Sequence, residues 1–313
     1  MAGFQLLLVA GTHGNEINHT FFLDQWIKHP CLLNNSKINV VKEIGNPLAL
    51  KASKRYIDRD LNRSFNPELI DSLCISEYEV KRAKELILQY GLKGKDECQI
   101  AIDLHTTTAN MGSSLVIYGR RPTDLALASL MQARLGLPIY LHECDSSQTG
   151  FLVESWPCGL VIEIGPVAQS LIDLSIIEKN RIILEVCFQE INKVRSNDQL
   201  YPDKVIIYRH LGSIDFPDPK DNKDKISYSI HPDFMNKNWN TIDNNSQIFL
   251  ALNGKTINFS REDFSENIDD KLAPVFINEA SYREKKIAMS ITKREVWNFQ
   301  DSWGESISKL IKD

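Results

Sequence analysis

Residues 11–16 (GTHGNE) carry side chains that could bind a metal ion, directly behind the apolar run at residues 5–10. His13 and Glu16 are three residues apart, so in a first helical turn both side chains lie on one face and can meet one ion. An imidazole nitrogen and a carboxylate oxygen are both ligands of zinc in proteins. A capping pair or a surface pair would leave the same HxxE pattern, so a metal site requires a third ligand elsewhere in the chain.

Residues 100–108 (IAIDLHTTT) offer that third ligand, because His105 ends a predicted buried strand. Open α/β sheets place their ligand crevices at the carboxyl ends of strands, and His13 follows such a strand as well. Two histidines and a glutamate, with a fourth position open for water, form a ligand set of catalytic zinc. Asp103 faces the same side of the strand as His105, where it could orient a ligand ring or cap a loop.

Glu163 interrupts an apolar strand at residues 160–164. A carboxylate in such a strand is costly to bury unless it has a partner or a task. Near a metal-activated water it could act as a general base and then return the proton to a leaving amine. Half of a structural ion pair is the alternative, but the two other strand-end positions in the same part of the chain favour catalysis.

The densely charged loop at residues 55–65 could bind an anionic substrate. Arg55, Asn62 and Arg63 are the candidates, since arginine is planar, always charged and suited both to a carboxylate and to a developing oxyanion. A solvated charged surface is the other interpretation of such a loop. We assign that interpretation to three further residues of the loop: Asp58, Arg59 and Asp60.

Composition restricts the class of protein. The 313 residues are 42% hydrophobic with a net charge of −5, so the chain can bury a sizeable core and has no basic excess for nucleic acid or an anionic membrane. Its six cysteines form no CxxC pair, which is typical of reduced thiols and favours a cytoplasmic location. The N-terminal apolar run is too short for a signal peptide, and no run reaches the ~20 residues of a membrane helix.

The order of predicted elements indicates an α/β fold. Strands alternate with helices up to about residue 200, a pattern typical of a largely parallel or mixed sheet flanked by helices. Beyond that point the chain is strand-like and turn-rich, with Asn253 and Gly254 as a hairpin signal. We therefore predict one domain over residues 1–200 and a smaller, all-β domain over residues 201–313.

Taken together, these stretches resemble the aspartoacylase family of zinc carboxypeptidase-like amidohydrolases. The resemblance extends over nearly the whole chain in order and spacing, through residues 11–16, 55–63 (RYIDRDLNR), 103–112 (DLHTTTANMG), 162–166 (IEIGP) and 274–282 (PVFINEASY). It implies a zinc carboxypeptidase-like catalytic domain, a β-rich C-terminal domain that covers the active-site cleft, and often a homodimer.

The resemblance also implies the roles of individual residues. One zinc ion per subunit would be held by three ligands: His13, Glu16 and His105. Glu163 would activate the attacking water, and Arg55 would polarise the scissile carbonyl. The substrate would be a small N-acyl amino acid, contacted by Arg55, Asn62, Arg63, Glu163 and Tyr282.

Two departures from the family pattern concern the substrate. Animal members carry an arginine and a tyrosine before the strand of the catalytic glutamate, whereas residues 145–151 (DSSQTGF) hold neither. Thr106 stands where the animal pattern has asparagine. We predict hydrolysis of N-acetyl-L-aspartate to acetate and L-aspartate. The alternatives are a deacylase of another N-acyl amino acid, such as N-succinylglutamate, a carboxypeptidase, and a non-catalytic metabolite-binding protein of the same fold.

Overall fold

Twelve strands are present in the computed structural model, which describes residues 4–34, 38–72, 74–143, 148–218, 227–265, 267 and 269–312. Most are short and rich in β-branched and aliphatic residues, as buried strands require. In chain order they are β1 (Gln5–Ala10), β2 (Asn39–Ile44), β3 (Ile100–Thr106), β4 (Ser113–Tyr118), β5 (Ile139–His142), β6 (Cys158–Ile164), β7 (Lys204–Asp215), β8 (Tyr228–Ile230), β9 (Gln247–Ala251), β10 (Thr256–Asn258), β11 (Leu272–Val275) and β12 (Ile287–Asn298).

Seven α-helices accompany these strands in the described part of the chain. Several begin with proline at the first turn, where its missing N–H costs nothing. In chain order they are α1 (Ile17–Lys28), α2 (Pro47–Ala52), α3 (Pro67–Asp71), α4 (Tyr78–Tyr90), α5 (Pro122–Leu135), α6 (Leu174–Ser196) and α7 (Asp301–Ile311).

Nine of the strands form one mixed sheet, in the order β11-β12-β7-β5-β4-β6-β3-β1-β2. Strands β2, β1, β3 and β6 run parallel, and β4 runs antiparallel to β6. The remaining three strands form a small antiparallel sheet in the order β10-β9-β8. The carboxyl ends of β1, β3 and β6 therefore meet at one edge of the large sheet.

Alternation along the central strands divides the core into two layers. Leu104 and Ile162 face the layer that contains helices α1, α5, α6 and α7. Ala101 and Val161 face the opposite layer, which contains α4. Because side chains alternate along a strand, residues 103, 105 and 163 belong to the α4 side of the sheet.

The fold class predicted from the sequence, a mixed α/β sheet flanked by helices with a β-rich C-terminal part, is confirmed. The prediction of an all-β segment after residue 200 is wrong at its end, because α7 is a helix whose Trp303, Ile307 and Ile311 are buried in the same core layer as α5 and α6. Strands β7, β12 and β11 continue the large sheet. The division into two domains at residue 200 stays a prediction.

Within the described ranges, no helix has both the length and the apolar character that crossing a membrane requires.

Candidate active site

A tight turn between β1 and α1 carries His13 and Glu16. The Glu16 amide donates to the His13 carbonyl at 3.1 Å, and Glu16 is the last residue before α1. Gly14 is required in this turn, because a Cβ there would lie 2.1 Å from the carbonyl carbon of Ala49 in α2. Close packing of α2 thus holds the turn, and the two side chains are buried.

A carboxylate orients each of the two histidines. His105 Nε2 lies 2.8 Å from Asp103 Oδ2, on the same face of β3, as the spacing of these residues predicts. His13 has a matching arrangement, with its Nε2 atom 3.0 Å from Asp60 Oδ1. An N–H on Nε2 in both rings would leave each Nδ1 with a lone pair for a metal ion.

Glu16 lies between the two rings. Its Oε1 is 2.6 Å from His13 Nδ1, and its Oε2 is 3.2 Å from His105 Nδ1. One ligand atom from each of these three residues lies within 4.8 Å of the others. Two imidazole nitrogens and one carboxylate, with carboxylates behind both rings, fit the donor set of a catalytic zinc ion and leave a position for water.

The charges of the cluster favour a cation between these side chains. Burial alone would raise the pKa of the Glu16 carboxyl, but the adjacent His13 and His105 rings outweigh burial and hold that pKa well below its usual range. Burial would likewise lower the pKa of His105, whereas Asp103 and Glu16 raise it well above its usual value. A metal ion would compete with the His105 proton, so metal binding should release protons.

Glu163 is the direct neighbour of His105, because the parallel register of β3 and β6 pairs these two residues. Burial raises the pKa of the Glu163 carboxyl well above its usual range. The carboxylates of Glu16 and Glu279 raise this pKa further, and His105 opposes them. A carboxylate whose pKa is raised accepts a proton more readily than an ordinary carboxylate does, and its protonated form can return that proton.

Arg55 faces the same cluster from the loop before α3. Its Nη2 donates to Asp60 Oδ2 at 3.0 Å, and its Nη1 lies 3.6 Å from Glu16 Oε1. Asp60 therefore bridges Arg55 and His13, and these two neighbours hold the pKa of Asp60 well below its usual range against the effect of burial. The interpretation of Asp60 as part of a solvated surface is wrong, since its side chain is only 16% exposed.

Asn62 and Arg63 follow in the same loop. Asn62 Oδ1 accepts a hydrogen bond from the Leu152 amide at 2.8 Å. The Arg63 guanidinium lies over the Phe151 ring, 4.0 Å from its centroid, and donates to Gln148 Oε1 at 2.9 Å. Phe151 and Gln148 belong to the segment that lacks the arginine and tyrosine of the animal pattern, and residues 145–147 of that segment lie outside the described residues.

The segment between β11 and β12 lies beside the residues that follow His105. Burial raises the pKa of Tyr282 to about 12, so its hydroxyl stays protonated and can donate a hydrogen bond. Glu279 is buried and accepts hydrogen bonds from the Thr107 hydroxyl at 2.5 Å and the Thr108 amide at 2.8 Å. It thus attaches this segment to the chain directly after His105.

One cavity is lined by all of the residues predicted from the sequence: His13, Glu16, Arg55, Asn62, Arg63, His105, Glu163 and Tyr282. The wall also contains residues to which the sequence interpretation gave no role in the site, among them Tyr118, Tyr140, His142, Gln148, Phe151 and Glu279. Alternation within β4 and β5 places Tyr118, Tyr140 and His142 on one face of the sheet. This alternation points to the site only once the order of the strands is known.

Two family models match the chain one after the other. The succinylglutamate desuccinylase/aspartoacylase catalytic domain matches residues 2–189. The AstE/AspA barrel-sandwich hybrid domain matches residues 203–294. Together they span both parts of the chain that the sequence interpretation separated.

Curated relatives and solved structures agree with these matches. A probable aspartoacylase of Prochlorococcus marinus is 49% identical, over 99% of this chain and 99% of the relative. One of Parasynechococcus marenigrum is 45% identical, over 99% of this chain and 100% of the relative. Murine aminoacylase 3 is 28% identical with a TM-score of 0.82, covering 96% of this chain and 98% of the other. The chain therefore belongs to the succinylglutamate desuccinylase/aspartoacylase family.

Proposed function

We propose that this chain is a zinc-dependent amidohydrolase that cleaves N-acetyl-L-aspartate to acetate and L-aspartate. The observation that carries the proposal is the convergence of three ligand side chains, a carboxyl group and two guanidinium groups on one cavity. Ligands, a proton carrier and cations for charged oxygens are the separate requirements of metal-assisted amide hydrolysis. Membership in the family supports the same class of reaction.

We assign the zinc ligands to His13, Glu16 and His105. A bound zinc ion supplies Lewis acidity and lowers the pKa of water toward neutrality. The carboxylates of Asp60 and Asp103 hold the two rings in the orientation that presents Nδ1. Asp60 lies in the loop of residues 55–65 and Asp103 lies on β3. The orientation of the zinc ligands therefore depends on both elements.

Glu163 moves the proton in this proposal. Its carboxylate takes a proton from the attacking water as the water oxygen bonds to the scissile carbonyl carbon. It then gives that proton to the nitrogen as the carbon–nitrogen bond breaks. One water molecule is consumed, and the products are a carboxylate and a free amino group. The raised pKa of Glu163 suits both halves of this exchange.

Arg55 stabilises the negative charge that develops on the carbonyl oxygen, since its guanidinium faces the ligand cluster and is held by Asp60. Arg63 binds the α-carboxylate of the amino acid, with its plane fixed on the Phe151 ring. Asn62 and the protonated Tyr282 hydroxyl complete the contacts to the substrate.

A second candidate is hydrolysis of an N-acyl amino acid with a less acidic side chain. The rings of Tyr118 and Phe151 stack with centroids 3.7 Å apart, so part of the cavity wall is aromatic. Arg55 and Arg63 supply the guanidinium groups among the described lining residues, and Arg55 is already paired with Asp60. Two substrate carboxylates would therefore meet one guanidinium, that of Arg63, which has no carboxylate partner among the described residues.

A substrate panel on zinc-loaded protein separates these candidates. We expect the highest kcat/KM for N-acetyl-L-aspartate among four compounds: N-acetyl-L-aspartate, N-succinyl-L-glutamate, N-acetyl-L-tyrosine and a dipeptide. Release of the free amino group reports every reaction in the same assay, and the Glu163→Gln variant gives the background rate. A preference for N-acetyl-L-tyrosine would favour the second candidate. No turnover of any compound by protein with bound zinc would overturn the proposed function.

A further inference from the structure

Glu79 in helix α4 is a fully buried carboxylate that plays no part in the proposed chemistry. Burying a carboxylate costs free energy unless hydrogen bonds replace its water. A helix that only packed against the sheet would be better served by an apolar residue at this position. Its hydrogen-bond partners therefore indicate why a carboxylate is present.

Four N–H groups meet the two oxygens of Glu79. Oε1 accepts from the Ile57 amide at 2.6 Å and from the Asn46 side chain at 3.0 Å. Oε2 accepts from the amides of Asp58 at 3.0 Å and Arg59 at 3.2 Å. All four partners are donors, which matches the two acceptor oxygens of a carboxylate.

The three backbone donors lie in the middle of the loop whose ends are Arg55 and Asp60. These ends meet, because Arg55 Nη2 donates to Asp60 Oδ2 at 3.0 Å. Three successive amides that point at one anion force the chain to curve around it, as in anion-binding backbone nests. Glu79 thus bends the loop into the shape that brings Arg55 and Asp60 together.

Asn46 connects the same carboxylate to the turn that carries the zinc ligands. Its backbone amide donates to the Gly11 carbonyl at 2.9 Å. Its side-chain oxygen accepts from the Ala49 amide at 3.1 Å and so caps α2. Helix α2 in turn packs directly against Gly14. One buried carboxylate is therefore linked to both halves of the site.

We infer that Glu79 is a positioning residue, which fixes the loop of Arg55 relative to the turn that carries His13 and Glu16. The effect of Glu79 on catalysis rests on the proposed function. Its carboxylate contacts neither the cavity nor the ligand atoms. Its role is to hold the Arg55 guanidinium at the distance from the ligand cluster that the structure shows.

Glu79→Gln tests this role with an almost isosteric change. Each carboxylate oxygen accepts from two donors, so the glutamine NH2 group faces two N–H groups in either orientation. We expect kcat of the zinc-loaded variant to fall by roughly 10- to 100-fold, as for a misplaced reactive group. Glu85→Gln is the matched control, because Glu85 lies on the same helix with a side chain 65% exposed. A kcat of Glu79→Gln within twofold of wild type would overturn the inference.

A double-mutant cycle with Arg55→Ala separates positioning from a general loss of structure. If Glu79 acts through Arg55, Glu79→Gln should lower kcat far less in the Arg55→Ala background than in the wild-type background. Equal losses in both backgrounds would contradict the inference. Activity is expressed per zinc-loaded, folded molecule, so a lower folded fraction does not enter the comparison.

Hydrogen exchange gives a readout that does not depend on activity. We expect the amides of Ile57, Asp58 and Arg59 to exchange at least about tenfold faster in Glu79→Gln and to be unchanged in Glu85→Gln. Unchanged exchange in Glu79→Gln would overturn the inference even if the protein hydrolyses N-acetyl-L-aspartate. Inactive wild-type protein with the expected exchange would instead overturn only the proposed function.

Glu79→Asp covers the case in which Glu79→Gln does not fold. This variant keeps the charge but shortens the side chain, so we expect faster exchange at the same three amides and an intermediate kcat. Wild-type exchange together with wild-type kcat in Glu79→Asp would overturn the inference.

Discussion

His105 and Glu163 are directly paired across the parallel strands β3 and β6, although they lie far apart in the chain. The backbone hydrogen bonds of one sheet therefore hold a zinc-ligand candidate and the proposed proton carrier side by side. Rigid strands position reactive groups more narrowly than loops do, which suits a reaction that needs fixed distances.

Removing the proton-carrying carboxyl group of Glu163 should abolish most of the activity without removing zinc. We expect Glu163→Gln to lower kcat by about 10²- to 10⁴-fold, the usual contribution of general acid–base catalysis. Steady-state kinetics together with elemental analysis for zinc measure both quantities. Glu178→Gln is the control, since that carboxylate is exposed on α6. Turnover of Glu163→Gln within a few-fold of wild type would exclude Glu163 as the proton carrier.

Asp103 should control the affinity for zinc. It is fully buried, lies 2.8 Å from His105 Nε2 and accepts a hydrogen bond from the Thr12 hydroxyl at 2.7 Å. We expect Asp103→Asn to weaken zinc binding by about 10- to 100-fold, because the carboxylate orients the ring and increases its basicity. Competition with a chromogenic chelator measures this affinity. The same affinity in Asp103→Asn as in the exposed control Asp24→Asn would contradict the assignment.

Arg63 should determine the binding of the substrate carboxylate. Arg63→Ala is expected to lower kcat/KM for N-acetyl-L-aspartate by roughly 100-fold, mostly through KM, since it removes a charged hydrogen-bond donor from a desolvated site. Arg63→Lys should recover little of this loss, because lysine has no planar fork to lie on Phe151. Initial rates over a range of substrate concentrations give kcat and KM for each variant, with Arg181→Ala on α6 as control. Full activity of Arg63→Lys would show that charge alone is sufficient.

His19 should make the protein less stable in acid. Burial lowers the pKa of its ring from 6.5 to about 4, and its Nε2 lies 2.9 Å from the His105 carbonyl. Between these values the unfolded chain binds a proton that the folded chain does not, so stability is lost as the pH falls through this window. From this group we expect a loss of about 2 kcal/mol in the free energy of unfolding between about pH 7.5 and pH 5.

The variant His19→Gln should lack that part of the loss. Its side-chain amide can still donate to the His105 carbonyl, but it does not titrate in this range. Urea denaturation of the metal-free protein at both pH values measures the difference, and the exposed His29→Gln serves as control. An identical pH dependence in wild type and His19→Gln would show that His19 is protonated in the folded state.

Local patterns were sufficient to predict the family, the fold class and the alternation of strands with helices up to about residue 200. His13, Glu16, His105 and Glu163 could be found because each follows or interrupts an apolar strand. Alternation along β3 also gave the position of Asp103 relative to His105. These signals extend over a few residues and need no knowledge of long-range contacts.

Long-range contacts account for what the sequence interpretation missed. In the sequence, Asp60 is one of several charged residues in its loop, and only the fold brings its carboxylate next to His13. Glu279 lies in the connection between β11 and β12, and only the fold brings it next to Thr107. Helix α7 is a different case. Its Trp303, Ile307 and Ile311 recur at helical spacing, so a signal was present but the strand-rich surroundings outweighed it.

The dependence of acetate release on zinc tests whether this chain hydrolyses N-acetyl-L-aspartate at a zinc site that includes His105. Wild-type protein and His105→Ala are each stripped with a chelator and titrated with zinc, while acetate release from N-acetyl-L-aspartate and bound zinc are measured in the same samples. We predict that activity of the wild type rises in proportion to zinc up to one ion per chain, and that His105→Ala stays inactive at that zinc concentration. Full activity of the stripped wild type, or of His105→Ala, would show that hydrolysis does not depend on zinc held by His105.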